Sequence, residues 1–206
     1  VYKRQSYYRS SEVEAVIHKA LNYWFTAKPV CLNWWYNQIG IPKTLGTVFI
    51  LFEKQLTPVE KQNAITVMEN AKFGMTGQNK VWLAGNVMMR ALLQNDYELV
   101  KMARDTIASE IVTGGTEGIK DDWCFHQHGA QQQFGNYGLS FVSGMSFFSG
   151  LFSGTSLAFD DKQLSILSTL IDKGYRWVIW KGMMDVNALG RQLFHHAPVH
   201  LSLIHI

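Results

Sequence analysis

The chain has 206 residues, of which 47% are hydrophobic and 17% are charged. This length and composition indicate one domain with a sizeable core and exclude an intrinsically disordered chain. The formal net charge of +3 is too small for the clustered basic surface of a duplex DNA binder. Two cysteines, Cys31 and Cys124, exclude a disulfide scaffold and a four-cysteine zinc site, and leave open whether they form one bridge.

Helical periodicity dominates the first half of the chain, where apolar residues recur three and four positions apart behind capping signals. The first predicted helix runs from Val13 to Phe25 behind Ser10 or Ser11, and the second begins near Pro42. The third runs from Pro58 through about Ala71 behind a Thr57–Glu60 capping box. The fourth begins at Asn79 or a neighbour, and the fifth extends to Ile111 behind a cap formed by Asn95 and Glu98.

The second half begins with a long polar loop and continues with two predicted helices, Leu139–Phe152 and Lys162–Ile171. Only Tyr175–Trp180 reads as a possible strand. Successive helices with short connections indicate antiparallel neighbours, so we expect an all-α fold of helical hairpins. Residues 129–159 carry no charge, but Gln, Ser and Gly interrupt them, so we expect a buried helix there and no membrane span.

Both ends of the sequence bear on the domain prediction. The chain opens at Val1 without Met and without a visible signal peptide. Residues 201–206, Leu-Ser-Leu-Ile-His-Ile, match the translation of a common sequencing adapter. We therefore expect residues 1–200 to be a fragment of one domain and residues 201–206 to be an adapter-derived tail.

The loop from Glu117 to Tyr137 is rich in His, Gln, Asn and Tyr, a composition typical of loops that build a site. His128 and Tyr137 are the candidate proton-transfer pair, because imidazole and phenol both exchange protons. The alternative is that His126 and His128 belong to a solvated or hydrogen-bonded loop and that Tyr137 is a core ring.

Histidines also raise a metal alternative, from His126 with His128 or from His195, His196 and His200. A zinc site needs three or four convergent ligands, often a helical H-x-x-x-H or cysteine pairs, and neither pattern occurs. We expect neither a metal nor another cofactor.

Three further features have a structural and a functional interpretation. Trp34, Trp35 and Tyr36 are consecutive rings that cannot all face one core, so at least one is expected to face a groove and stack on sugar rings; core packing is the alternative. Asn79 is either a helix cap or a ligand-binding amide. Arg191, after Gly190, is either structural or a partner for a carboxylate.

Taken in order, these segments resemble polysaccharide lyase family 8, the hyaluronate, chondroitin AC and xanthan lyases. The resemblance rests on the following stretches: Asn33-Trp34-Trp35, Ile39-Gly40-Ile41-Pro42, Thr76-Gly77-Gln78-Asn79-Lys80-Val81-Trp82, Glu117-Gly118-Ile119 through Asp122, Phe125 to Gly129, Asn136-Tyr137-Gly138 and Gly190-Arg191. It implies an incomplete α/α toroid of antiparallel helical hairpins, normally followed by β-sandwich domains that this chain lacks.

By the same resemblance, Asn79, His128, Tyr137 and Arg191 correspond to the catalytic residues. The expected substrate-binding residues are Asn33, Trp34, Trp35, Phe73, Asn136 and His195. His195 stands where family members usually carry a second Arg, which affects how the leaving sugar is held. Family members also draw a Glu from the missing β domain.

The resemblance implies metal-independent β-elimination on a uronic-acid polysaccharide of the hyaluronan, chondroitin or xanthan type, with either His128 or Tyr137 as the base. The expected partner is this acidic polysaccharide, with no nucleic acid and no membrane. We expect a monomer that is secreted or periplasmic. The alternatives are a non-catalytic carbohydrate-binding helical domain and an α/α-toroid glycoside hydrolase.

Overall fold

The structure, a computed structural model, describes Tyr7 and residues 10–191. The chain divides into two compact units. The first unit contains the residues up to Lys72 together with Asn86–Val100, and the second contains Phe73–Gly85 together with the residues from Lys101 onwards. The predicted tail at residues 201–206 and His195, His196 and His200 lie outside the described residues.

Helices account for most of both units, as the sequence predicts. Short 3₁₀ or π-helical turns at Tyr36–Gly40 and Glu53–Gln55 adjoin the helices of the first half. The helices from the first half of the chain are α1 (Ser11–Ala27), α2 (Ile41–Leu51), α3 (Pro58–Met68), α4 (Gly77–Gln94) and α5 (Tyr97–Ala108).

Local capping chemistry explains where several of these helices begin. The Ser10 side chain accepts a hydrogen bond from the Val13 amide at the start of α1. A complete capping box between Thr57 and Glu60 begins α3, and the helix ends at Met68, three residues before the predicted end. Capping therefore fixes helix starts more firmly than periodicity fixes their ends.

The predicted cap of α5 is wrong by one residue. The Asp96 carboxylate, and not the Asn95 side chain, accepts a hydrogen bond from the Leu99 amide at 2.9 Å. Asn95 has a left-handed backbone with φ of +54° just after α4. Asn is tolerated in this conformation and commonly ends a helix, so Asn95 ends α4 and Asp96 caps α5. Helix α5 also ends at Ala108, short of the predicted Ile111.

The first unit is built around an apolar cluster that four helices share. Phe25 of α1 stacks on Phe49 of α2, with ring centroids 6.0 Å apart. Both rings are buried, because the apolar faces of their helices turn inward. The buried members of the cluster are Leu21, Phe25, Phe49, Ala64, Met68 and Leu93.

The second unit contains two more long helices and two very short hairpins. Helix α6 (Leu139–Phe152) has the predicted bounds, and α7 (Asp161–Thr169) has an Asp160 capping box. Strands β1 (Gly118–Ile119) and β2 (Phe125–His126) pair antiparallel within the predicted loop. Strands β3 (Ile179–Trp180) and β4 (Met183–Met184) form the second hairpin.

The predicted strand Tyr175–Trp180 is mostly wrong. The chain continues from α7 into a π-helical turn, Leu170–Tyr175, and then a single α-helical turn, Arg176–Val178. Only Ile179 and Trp180 are extended. Aromatic and β-branched residues favour a strand, but packing decides otherwise here: Tyr175 is fully buried, with its ring against Phe134 at 4.9 Å.

In the part of the chain that the structure describes, no helix combines the length and the apolar character needed to cross a membrane. Helix α6 carries the uncharged stretch and buries Phe141, Val142, Met145 and Phe152. Cys31 and Cys124 are both free thiols.

Candidate active site

Tyr137 lies at the centre of a group of contacting polar and aromatic side chains. It is only 7% exposed and belongs to the π-helical turn Phe134–Gly138 that leads into α6. Its hydroxyl accepts a hydrogen bond from Nη2 of Arg191 at 3.0 Å, and the guanidinium lies 5.6 Å from its ring centroid. The His128 ring meets it edge-on at 5.0 Å, and the Trp82 ring lies 5.7 Å away. Three of the residues predicted to be catalytic are therefore in contact.

Two glycines allow the Arg191 segment to approach the Tyr137 turn. A Cβ on Gly135 would lie 2.6 Å from Cα of Leu189, so backbone packs against backbone there. A Cβ on Gly190 would lie 2.7 Å from Oε1 of Gln133, and Gly190 has a left-handed φ of +62°. A larger residue does not fit at Gly135, and the left-handed φ disfavours one at Gly190, which directly precedes Arg191.

His128 sits on a turn that follows β2. It is exposed, and its φ of +58° is left-handed, which is uncommon for a residue other than glycine. Gly129, with φ of +74°, donates its amide to Oε1 of Glu117 at 2.9 Å. The imidazole therefore faces solvent beside Tyr137, on a turn that the hydrogen bond between Gly129 and Glu117 stabilises.

Asn79 is buried within the first turn of α4 and is not its cap, because the helix already begins at Gly77. Among the described residues, its Oδ1 is buried without a hydrogen-bond partner. Trp82, which packs on Tyr137, is three residues further along and so lies on the same face of the helix. A buried amide with an unused acceptor is expensive unless a ligand or water satisfies it.

A polar network surrounds the start of α4. Oε2 of Glu110 accepts the Gly77 amide at 2.7 Å, and Oε1 of Glu110 pairs with Nζ of Lys80 at 2.8 Å. Oε1 of Gln127 accepts the Gln78 amide at 2.9 Å. Glu110 and Gln127 could not be predicted from the sequence, because no local pattern identifies a buried polar residue whose partners are distant in sequence.

Two acidic residues of the loop, Glu117 and Asp122, are engaged in structural contacts. Glu117 accepts three hydrogen bonds, from Thr76, Gln127 and Gly129. The backbone amide of Cys124 donates to the exposed Asp122 carboxylate at 2.9 Å, and this hydrogen bond holds the pKa of Asp122 below its usual value. A carboxyl group with a lowered pKa is a poor general acid near neutral pH.

The remaining predicted substrate-binding residues are distributed over both units. In the first unit Asn33 is exposed and its Oδ1 accepts the Trp35 amide at 3.0 Å. Trp34 is 43% exposed, whereas Trp35 is half-buried against Tyr36. In the second unit Phe73 is 37% exposed and Asn136 is half-buried. His195 lies outside the described residues.

No group of three or more His, Cys, Asp or Glu side chains suited to a metal ion occurs within residues 10–191. His126 lies in β2, and its neighbour two residues on, His128, faces Tyr137.

Comparison with known proteins assigns the family. Residues 1–196 match the model of the polysaccharide lyase family 8 N-terminal alpha-helical domain. The chain belongs to polysaccharide lyase family 8. This confirms the predicted resemblance, and the predicted all-α fold class with it.

The chain is similar to several named lyases. It is 31% identical to chondroitinase AC from Pedobacter heparinus, over 92% of this chain and 28% of that protein. It is 28% identical to xanthan lyase from a Bacillus species, over 78% of this chain and 18% of that protein. A solved chondroitinase AC lyase superimposes on 90% of this chain with a TM-score of 0.81 and 31% identity, over 28% of its own length. The chain thus spans less than a third of these relatives.

Proposed function

We propose that the complete protein is a lyase that cleaves a uronic-acid polysaccharide by β-elimination, with Asn79, His128, Tyr137 and Arg191 as its proton-transfer site. The observation that carries this proposal is the contact of His128 and Arg191 with a single buried phenol, Tyr137. The printed names of the relatives, chondroitinase AC and xanthan lyase, support the reaction class.

The difficult step is removal of the proton at C5 of the uronic acid, next to its carboxyl group. The Asn79 amide is suited to that carboxyl group because its Oδ1 has no partner among the described residues. A carboxyl group that keeps its proton donates to Oδ1 and accepts from Nδ2, so both ends of the amide are satisfied. This pairing neutralises the charge of the carboxylate, which otherwise makes the C5 proton harder to remove, and it stabilises the enolate-like transition state.

Tyr137 is the group that takes the C5 proton in this proposal. The hydrogen bond from Arg191 stabilises negative charge on the phenolic oxygen, which a base requires. The C5–H electron pair forms the C4–C5 double bond as the C4–O bond breaks. The proton on Tyr137 then passes to the departing glycosidic oxygen. His128, exposed beside the phenol, contributes a hydrogen bond to the bound sugar acid. The step needs no metal, because amide and guanidinium supply the neutralising groups.

The state of the acidic residues favours elimination over hydrolysis. A glycoside hydrolase needs two carboxyl groups that face each other across the scissile bond, one of them protonated. Glu117 is occupied by three hydrogen-bond donors, and Asp122 has a lowered pKa. Neither is available as the acid of such a pair.

The exposed Trp34 is suited to stack on a sugar ring, and we propose that Asn33, Trp34 and Trp35 bind the polymer in the first unit. We propose separately that Phe73 and Asn136 bind it in the second unit. His195 in place of a second Arg is proposed to hold the leaving sugar. The substrate is a hyaluronan-, chondroitin- or xanthan-type polymer, and the protein acts as a secreted or periplasmic monomer, with no nucleic-acid or membrane partner.

The direct test incubates the purified full-length protein with hyaluronan, chondroitin sulfate and xanthan in separate reactions. Elimination generates an unsaturated uronate that absorbs in the ultraviolet, so absorbance should rise with one of these polymers. Reducing ends without the chromophore would contradict elimination and favour a hydrolase. Binding without any new chain ends would favour a carbohydrate-binding domain.

A further inference from the structure

A single carboxylate joins the two segments that carry Asn79 and His128. Glu117, half-buried just before β1, accepts the Thr76 hydroxyl on Oε2 at 2.6 Å and the Gly129 amide on Oε1 at 2.9 Å. The side-chain amide of Gln127 also donates to Oε2. The sequence motifs assign no role to this carboxylate.

The two attachment points adjoin the proposed catalytic residues. Thr76 directly precedes α4, whose third residue is Asn79, and Gly129 directly follows His128. The second attachment adjoins a strained place in the backbone, because His128, which is not a glycine, has a left-handed φ of +58°. Such conformations persist only where surrounding contacts enforce them.

Gln127 reinforces the same bridge. Its Nε2 donates to the Thr76 carbonyl as well as to Glu117, and its Oε1 accepts the Gln78 amide. The side chain is 1% exposed, so these hydrogen bonds are shielded from water. The start of α4 and the His128 turn are therefore held by one connected set of bonds centred on Glu117.

We propose that Glu117 is a positioning residue for the proposed elimination, on which this inference rests. It sets the separation between the Asn79 amide, which binds the sugar carboxyl group, and the imidazole of His128. Gln127 also joins the two segments directly, and Glu117 orients it by accepting its side-chain NH₂ group. A displacement of about 1 Å at a reacting group costs on the order of a hundredfold in rate.

The chemistry of the bridge requires a carboxylate. Three donors converge on two acceptor oxygens. A Gln at this position has the same shape but presents one oxygen and one NH₂ group, so either the Gly129 amide or the Gln127 side-chain amide would face another donor. Glu117→Gln is therefore expected to release either the Gly129 arm or the Gln127 hydrogen bond without creating a cavity.

The kinetic test compares Glu117→Gln with Asp121→Asn in the full-length protein. Asp121 is an exposed carboxylate of the same loop, so this control makes the same change of charge. We expect kcat to fall about ten- to a hundredfold in Glu117→Gln with KM changed less than about threefold, and both constants to be unchanged in the control. Thr76→Val, which removes one arm and keeps the carboxylate, should lower kcat by a smaller factor.

Equal kcat in Glu117→Gln and the control, with the unsubstituted protein active, would overturn the positioning role and leave the proposed function standing. A fall in kcat/KM caused by KM alone would also overturn it. A merely structural role would lower the concentration of folded enzyme, which thermal unfolding reports, and would leave kcat per folded molecule unchanged.

A second readout does not depend on turnover. In NMR spectra, Glu117→Gln should shift the Asn79 side-chain amide signals or the His128 ring signals, according to which hydrogen bond is lost, whereas Asp121→Asn should shift neither. Unchanged signals of both residues would overturn the bridge. Absence of unsaturated product from the unsubstituted protein would instead overturn the proposed function, and the NMR result would still decide the bridge.

Discussion

At the scale of single residues, the Tyr137 hydroxyl carries the largest share of the proposed chemistry. We expect Tyr137→Phe to lower kcat by about 10²–10⁴-fold, the range typical of a lost general acid–base group. Polysaccharide affinity should be retained, because the ring contacts with His128 and Trp82 need no hydroxyl. Initial rates of ultraviolet absorbance and equilibrium binding measure the two effects.

Tyr23→Phe is the matched control, since Tyr23 is 73% exposed on α1. It should leave kcat unchanged. Near-normal turnover in Tyr137→Phe would remove Tyr137 from the reaction, and would leave a carbohydrate-binding role for the contacts around it.

The Asn79 amide makes a separate prediction. Removing one preorganised group that stabilises developing negative charge costs about 10²–10³ in kcat. We expect Asn79→Ala to show a loss of that size, while Asn70→Ala, which alters an exposed amide after α3, should not. Steady-state kinetics at saturating polymer tests this, and a loss confined to KM would contradict a role in the transition state.

The sequence identifies some site residues more readily than others. His128 and Tyr137 stand out because a long loop rich in His, Asn and Tyr is unusual unless it builds a site. Glu110 and Gln127 do not stand out, because their partners at the start of α4 are 33 and 49 residues away in sequence. Only the folded backbone shows that such side chains converge.

At the scale of elements, close backbone contact joins the Tyr137 turn to the Arg191 segment. We expect Gly135→Ala to destabilise the fold by about 1–3 kcal/mol, the usual cost of overpacking, because its Cβ would meet Leu189 at 2.6 Å. It should also reduce kcat by separating Arg191 from Tyr137. Denaturant unfolding and kinetics measure both effects.

Gly150 in α6 offers the matched control, because a Cβ there has no atom within 4 Å. Gly150→Ala should leave kcat unchanged and stabilise the helix by about 0.5–1 kcal/mol. Equal stability of the two variants would contradict the close approach at Gly135.

Glu60 predicts a pH dependence of stability in the first unit. Burial alone would raise its pKa, but hydrogen bonds from the Thr57 backbone and from His18 at 2.8 Å outweigh burial and lower it below the ordinary 4.5. A group with a lowered folded pKa stabilises the fold above its unfolded pKa and loses that contribution as the pH falls through its folded pKa.

The free energy of unfolding should therefore decline as the pH falls below 4.5. Glu60→Gln should flatten this decline, whereas Glu69→Gln, at an exposed carboxylate after α3, should not. Chemical denaturation across this pH range is the measurement. An unchanged slope in Glu60→Gln would show that the buried carboxylate is not linked to folding.

The predicted helices and strands are correct where local hydrogen bonding determines the structure, and wrong where tertiary packing determines it. The Thr57 capping box defines the start of α3 from sequence alone. The sequence predicts Asn95 as the cap of α5, whereas Asp96 is the cap, because Asn and Asp both favour caps and left-handed turns. The strand predicted at Tyr175 gave way to a π-helical turn, because burying that ring against Phe134 outweighs its strand propensity.

At the scale of the whole molecule, the family could be predicted because its short motifs occur in the family's order along almost the entire chain. The match over residues 1–196 confirms the family. The four residues proposed for proton transfer all belong to the second unit. Arg191 and the Tyr137 turn come from segments 54 residues apart, and no local pattern could place them in contact.

We propose that bond cleavage proceeds by elimination, in which no water oxygen enters either product. The most direct measurement digests the polysaccharide with the full-length protein in ¹⁸O-labelled water and determines product masses before exchange at the reducing end. Elimination predicts an unsaturated product without ¹⁸O and fragment masses that sum to the mass of the substrate. One ¹⁸O incorporated for each bond cleaved would show hydrolysis and contradict it.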